Sequence, residues 1–437
     1  MPSRRRLLRT GVALGATGFS AGCLERRLET EHHWTTSPDW PMANHDAHHT
    51  GRTASDGPSA GSVAWQRHLG GERTAATPVI ADGTVYANGD GVVALDAATG
   101  RERWHVGSEE NGAGQAVVDG TIYAVTTTEA SVIVRALDSA GRVQWEWSTA
   151  VPSPDARPPV VADDTLYVQL GVTRRTRRLV AFDRHDGSVR WSSEVESMEM
   201  FAPAVAHGRV LALAEHGAVR AIGPTCGLGC RLGAGPPATD WRERYPGGDR
   251  WHAPTVRGID VLTGIDAFGS GSAQLRVLDL NDGGVEWAAV QSATAVPPAT
   301  DGRSLWSVGS VHVDRDDGVT NVGDNDMVVR RRGMDGEVRW ERQFAERLGS
   351  ARPVLAGVPR FDWSDADKDE DNAAGGTLYV GSYFAPEVDG GGWVTALDAV
   401  TGETQWEKHV TPSPRSLAVA GGRLFVGDGD GKLVCFD

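Results

Sequence analysis

The sequence predicts an all-β fold, an eight-bladed β-propeller of four-stranded antiparallel blades, on three observations. A tryptophan returns at Trp65, Trp104, Trp145, Trp191, Trp241, Trp287, Trp340 and Trp406, and seven of the eight have glycine four residues earlier. A second turn signal lies inside each interval, as in ADGTVYA at 81, VDGTIYA at 118, ADDTLYV at 162 and GGRLFVG at 421. The 55 Gly and 22 Pro then supply the turns that many short strands require.

Each unit reads as an ordered series of elements. A short apolar strand such as TPVIA or PPVVA opens with proline, where no ladder hydrogen bond is lost. The second turn signal follows, with Gly at its centre in seven units and Asp164 in the third. Next come VALDAATG at 93–100, VAFDRHDG at 180–187, RVLDLNDG at 276–283 and VTALDAVTG at 394–402. In these the Asp can accept backbone amides and the Gly can take a positive φ, so a hairpin results and Trp begins the return strand. Only Trp241 breaks the pattern, with Pro237 in the glycine position. Four strands at a spacing of roughly 40 to 50 residues cannot bury both sheet faces alone, whereas radial stacking buries one unit on the next. The tryptophans are then structural staples wedged between blades.

The last unit stops at Asp437, which aligns with Asp96, so it has a third strand but no Gly and no Trp. GSVAWQRHL, residues 61–69, is a Gly-to-Trp strand with no unit before it. Pairing of this strand with the C-terminal blade is expected to close the ring and leave no open edge. The domain plan is thus an N-terminal signal over 1–22, a tether and lead-in over 23–60, and the propeller over 61–437.

The signal reading rests on Arg4, Arg5, Arg6 and Arg9, an uncharged stretch from Thr10 to Gly22, and Cys23 after small residues. The stretch is too short to span a bilayer. Ser3-Arg4-Arg5-Arg6-Leu7-Leu8 resembles a twin-arginine export signal, which implies transfer in the folded state. Ser20-Ala21-Gly22-Cys23 resembles a lipobox, with Ser20 where leucine is usual, and implies a lipid on Cys23 at the outer face of the cytoplasmic membrane. A secreted protein whose Cys23 is not lipidated is the alternative. Loss of the four arginines takes the net charge from −15 to −19. Such a charge excludes nucleic acid as a partner, because phosphate binding needs a basic surface. With only three lysines among 43 basic residues, the surface reads as that of a protein in strong brine, of the haloarchaeal kind, or as an ordinary acidic protein.

The repeat resembles the PQQ-like family, shared by quinoprotein alcohol dehydrogenases and by BamB-type lipoproteins. The residues that carry the resemblance are the A-x-D-x-x-T-G-x-x-x-W forms at Ala94–Trp104 and Ala396–Trp406, with looser copies from Gly61 to Asp437. WPMANHDAHHTGR, 40–52, resembles the lead-in found before such propellers. The dehydrogenases imply PQQ above a pair of adjacent cysteines and a Ca²⁺ held by acidic and amide side chains. This chain has Cys23, Cys226, Cys230 and Cys435, none adjacent to another, so no cofactor is expected.

Cys226 and Cys230, in PTCGLGC, could clasp a loop as a disulfide or remain two thiols, and spacing leaves both open. Cys435 stands where other units have Ala or Leu and reads as core. His32, His33, His45, His48 and His49 have no fixed geometry without a helix and read as a solvated tether. FDWSDADKDEDN, 361–372, fails the EF-hand pattern at Glu370 and Gly376 and reads as an acidic insertion. The functional expectation is a monomeric, non-catalytic, surface-anchored scaffold that binds another protein. A quinoprotein dehydrogenase and a carbohydrate or small-ligand receptor are the alternatives. Insertions near 224–250, 312–326 and 360–374 are expected to gather on one face as the contact surface.

Overall fold

Burial falls from the innermost strand outwards in each unit, as the apolar pattern of the repeat requires. The inner strands Val79–Ala81, Ala204–Ala206 and Val354–Ala356 are buried at every position. The outer strands Val63–His68, Val143–Ala150 and Thr404–Val410 face solvent on both sides of a half-buried tryptophan. Inner strands read as unbroken apolar runs because both of their faces are covered. The computed structural model describes residues 39–70, 78–197, 200–213, 218–223, 237–243, 250–266, 273–291, 295–313, 325–358, 375–384 and 391–437. All regular structure among them is β-strand.

The eight repeat units are distributed over seven antiparallel sheets of a β-propeller. Unit 4 is typical, with Ala204–Ala206, Arg209–Leu213, Val219–Ile222 and Thr239–Glu243 in that spatial order. Units 1 and 2 share one sheet, because Glu102–Val118 runs without interruption from the outer strand of the first into the inner strand of the second. In the last unit Val63–His68 lies beside Lys432–Phe436, with Gln66 opposite Val434 and Arg67 opposite Leu433. The outer strand of that sheet therefore comes from the N-terminal side of the chain. Cys435 is buried in the same strand opposite Trp65. Burial pushes its thiol up to about 12.

The Trp–Gly spacing acquires its physical meaning between units. Seven of the eight indoles reach the hairpin of the following unit, not their own. Trp104 Nε1 donates to Ser139 O at 2.9 Å, Trp145 to Arg184 O at 3.0 Å, Trp241 to Leu280 O at 2.7 Å and Trp287 to Met334 O at 3.0 Å. The ring carbons lie against the glycine of that same hairpin. A Cβ added at Gly141, Gly187 or Gly283 would stand 2.6–2.8 Å from the preceding unit's tryptophan. These glycines also have φ between +74° and +79°, so two constraints select the residue. The series continues through the last unit: Trp406 packs on Gly61, and Trp65 packs on Gly100 and donates to Ala97 O at 3.1 Å. Trp241 thus has a glycine, Gly283 of the next unit, although its own hairpin carries Pro237.

Two outcomes are expected. Gly187→Val places a branched side chain at φ +74° against Trp145 and should destabilise the protein by about 2–4 kcal/mol, read as a lower urea midpoint. Deletion of 61–69 bares the edge of Lys432–Phe436 and should give a protease-sensitive, self-associating product on size exclusion.

Candidate functional site

A propeller's inner strands each present one unpaired backbone edge towards the axis. Along this chain those edges are met by residues 40–55. The carbonyls of Trp40, Pro41, Ala47, His48, Thr50 and Gly51 accept the amides of Ile80, Val117, Val205, Val256, Thr300 and Leu355, at 2.7–3.0 Å. These donors belong to units 1, 2, 4, 5, 6 and 7, and Gly422 N of unit 8 reaches Ser55 Oγ at 3.2 Å. Trp40 and Thr53 also donate to Ile80 O and Leu355 O. The segment can serve so many units in so few residues because it is coiled: His45 N bonds Met42 O, His49 N bonds Asp46 O, and Gly51 N bonds Asn44 O.

The solvated-tether reading of this region does not hold for residues 39–60. His45, Asp46 and His49 are 1–2% exposed. The physical reason is the row of inner-edge amides, which a sequence pattern does not display. His32 and His33 lie outside the described residues.

Asp46 organises the coil. Its Oδ1 accepts His48 N at 3.0 Å and Thr50 N at 3.1 Å, and its Oδ2 accepts Thr50 Oγ1 at 2.6 Å and His45 Nδ1 at 3.2 Å. Burial alone would raise this carboxyl's pKa, but the His45 hydrogen bond and charge, the charge of His48 and the Thr50 bond together hold it well below the usual range. His45 and His49 have φ of +79° and +58°, a conformation that non-glycine residues adopt at a cost. The Asp46 bonds on the intervening amides hold that geometry.

His49 is the second buried group. Its Nδ1–H donates to Pro254 O at 3.1 Å. Burial first, and then the nearby Arg352 charge, lower its pKa to about 3, so the imidazole is neutral in the fold. Arg352 Nη2 donates to His49 O at 3.0 Å and to Thr255 Oγ1. Burial lowers this guanidinium to about 9, against the opposing pull of Asp46. Sequence reasoning missed Asp46, Arg352 and Thr255. Only the match of 40–52 to a lead-in pointed to this region, and nothing in it marked the acid.

The other sequence candidates are spread elsewhere. Trp65, Trp104, Trp145, Trp241, Trp287, Trp340 and Trp406 form the inter-unit series, and Trp191 is buried in the unit 3 sheet beside Tyr167. Arg4, Arg5, Cys23, Cys226, Cys230 and the acidic run 361–372 lie outside the described residues. The described strand ends that flank the insertions do not share one face. The strands that flank 224–236 and 359–374 are a third–fourth and a first–second pair, whereas those flanking 314–324 are a second–third pair. Strand direction alternates, so the last joins at the opposite face from the other two.

Among the described residues, those at the inner edges beside the lead-in leave little room for a quinone. Asp46 is engaged by four donors, Cys435 lies in a sheet core, and a pocket beside the lead-in, bounded by Trp40, Asn44 and Arg352, encloses about 30 Å³. Small-molecule sites occupy about 300–1,000 Å³.

Comparison with known proteins places the chain among two groups of propellers. The family model described as outer membrane protein assembly factor BamB matches residues 53–154, 130–295 and 390–437. No curated protein matches the sequence. Among solved structures, BamB from Moraxella catarrhalis is 18% identical over 86% of this chain and 100% of its own, with a TM-score of 0.56. A quinohemoprotein alcohol dehydrogenase from Pseudomonas putida is 13% identical over 92% of this chain and 80% of its own, at 0.57. A europium-containing methanol dehydrogenase is 13% identical over 92% and 91%, at 0.55. At these identities the likeness is one of fold.

The two buried groups set an acid response. His49 has a folded pKa below its ordinary 6.5, so its contribution to stability is complete above pH 6.5 and is lost as pH falls towards 3. Stability should fall by about 1.4 kcal/mol per pH unit over that range. In His49→Gln the fall should begin only near pH 4, where carboxylates titrate. Asp46→Ala should cost about 3–5 kcal/mol at neutral pH, by leaving buried donors unpaired. Urea midpoints across pH 4–8 check both.

Proposed function

This chain belongs to the BamB family of PQQ-like repeat propellers, and we propose that within it the molecule serves as a non-catalytic, surface-anchored scaffold that binds another protein. The observation that carries this reading is the occupation of the inner strand edges by the chain's own residues 40–55. A cofactor at those edges would have to displace this coiled, hydrogen-bonded lead-in.

The contact surface we assign is the face at which the described strand ends flanking 224–236 and 359–374 lie. Ala356, Gly357, Gly376 and Thr377 flank the second of these, and with Asp56–Ser59 and Gln405 they bound an open groove of about 670 Å³ on that side. The chain also enters at this face, since Asp39 Oδ2 accepts the amide of Asp82 in the first turn of unit 1. Cys23 precedes Asp39 by sixteen residues, a reach of at most roughly 55 Å when extended. An anchor on Cys23 would therefore hold the propeller within that reach of the membrane surface.

The test is affinity capture of detergent-released protein, with absorbance spectroscopy on the same sample. The expected result is a reproducible protein partner whose recovery drops at least about tenfold when 359–374 is replaced by a short Gly-Ser linker, with the melting temperature unchanged. A stoichiometric quinone chromophore would sink the scaffold reading. Cys23→Ser should shift the protein from the membrane fraction to the medium, and Arg4→Lys with Arg5→Lys should retain it in the cytoplasm.

A further inference from the structure

We propose that the pocket between the lead-in and units 7 and 8 is a binding site for a halide-sized anion that fastens the lead-in to those units. Trp40, Asn44 and Gly51 form its lead-in wall, and Arg352, Arg415 and Ser416 stand across from them. Three of these residues carry buried donors with no partner in the protein: Trp40 Nε1, Arg352 Nε and Ser416 Oγ. Trp40 and Ser416 are 1% and 3% exposed, so bulk water does not serve them.

The donor chemistry is one-sided. An indole and a guanidinium can only donate, and two arginines bound the pocket. None of the residues that bound it is acidic, in a chain of net charge −15. The nearby carboxylate, Asp46, is already engaged by His45, His48 and Thr50. Arg352 is thus a half-buried cation with no carboxylate among the residues that bound the pocket, and an anion would offset its charge. At about 30 Å³ the pocket has room for a small anion.

Position gives the site its consequence. Trp40 is hydrogen-bonded to unit 1, Arg352 precedes the inner strand Val354–Ala356 of unit 7, and Ser416 lies in the inner strand of unit 8. One bound anion would therefore join three units and the lead-in at a single point.

The experiment uses the full mature protein crystallised with bromide, and melting temperatures titrated with chloride or bromide at constant ionic strength, gluconate being the balancing anion. The expected result is an anomalous bromide peak within hydrogen-bond distance of Trp40 Nε1, Arg352 Nε and Ser416 Oγ. Melting temperature should rise saturably with halide, with apparent affinity reduced about tenfold in Ser416→Ala and in Trp40→Phe. Two variants are used because loss of the indole can weaken the fold by itself, while Ser416→Ala removes only a hydroxyl. Density without anomalous signal, or a halide response identical in wild type and both variants, overturns the proposal. A bromide peak with no saturable thermal response marks an adventitious ion only, and overturns it as well.

Discussion

The inner strand edges are the constraint on which the rest of this structure depends. Radial stacking solves the burial problem of each sheet's faces, and hairpins pair three of its four strands internally, but the innermost strand keeps a row of amides and carbonyls directed at the axis. Left dry and unpaired, each would cost about 1–3 kcal/mol. Residues 40–51 supply carbonyls to six units, and that demand explains the coiled backbone, the positive φ of His45 and His49, and the four-fold engagement of Asp46. A charge is buried here because it holds a polar strap in one shape.

A second device works at the periphery. The indoles tie one unit to the next by a hydrogen bond and by contact with a glycine, both in the hairpin of the following unit. Neighbouring blades are thus linked in series, and each link is local. The lead-in differs in kind, since one segment contacts units that are distant in sequence. Cooperative stability in a repeat fold depends on such interfaces, because a unit contributes little by itself.

The repeat, its four strands and the antiparallel sheets could be read from the chain because they rest on local chemistry repeated many times. Asp and Gly at fixed offsets dictate turns wherever they occur, and Val63–His68 could be assigned to the last unit because that unit lacked a strand. The pairing partner of each glycine was not legible, since spacing within a unit does not tell which neighbour's tryptophan covers it. Equally, alternating strand direction puts the strand ends that flank 224–236 and 314–324 at opposite faces, which composition does not reveal.

By itself, then, the sequence determined the fold class, the unit boundaries and the supply of a missing strand, because hydrophobic period and turn residues act over a few positions. Tertiary structure alone decided what His45, Asp46, His49 and Arg352 are. The first three lie in a stretch with no periodicity and ordinary polarity, the pattern of an exposed tether, and Arg352 is one arginine among many. They become buried because unpaired edges from six units converge on the axis, and that convergence exists only once the blades have closed around it.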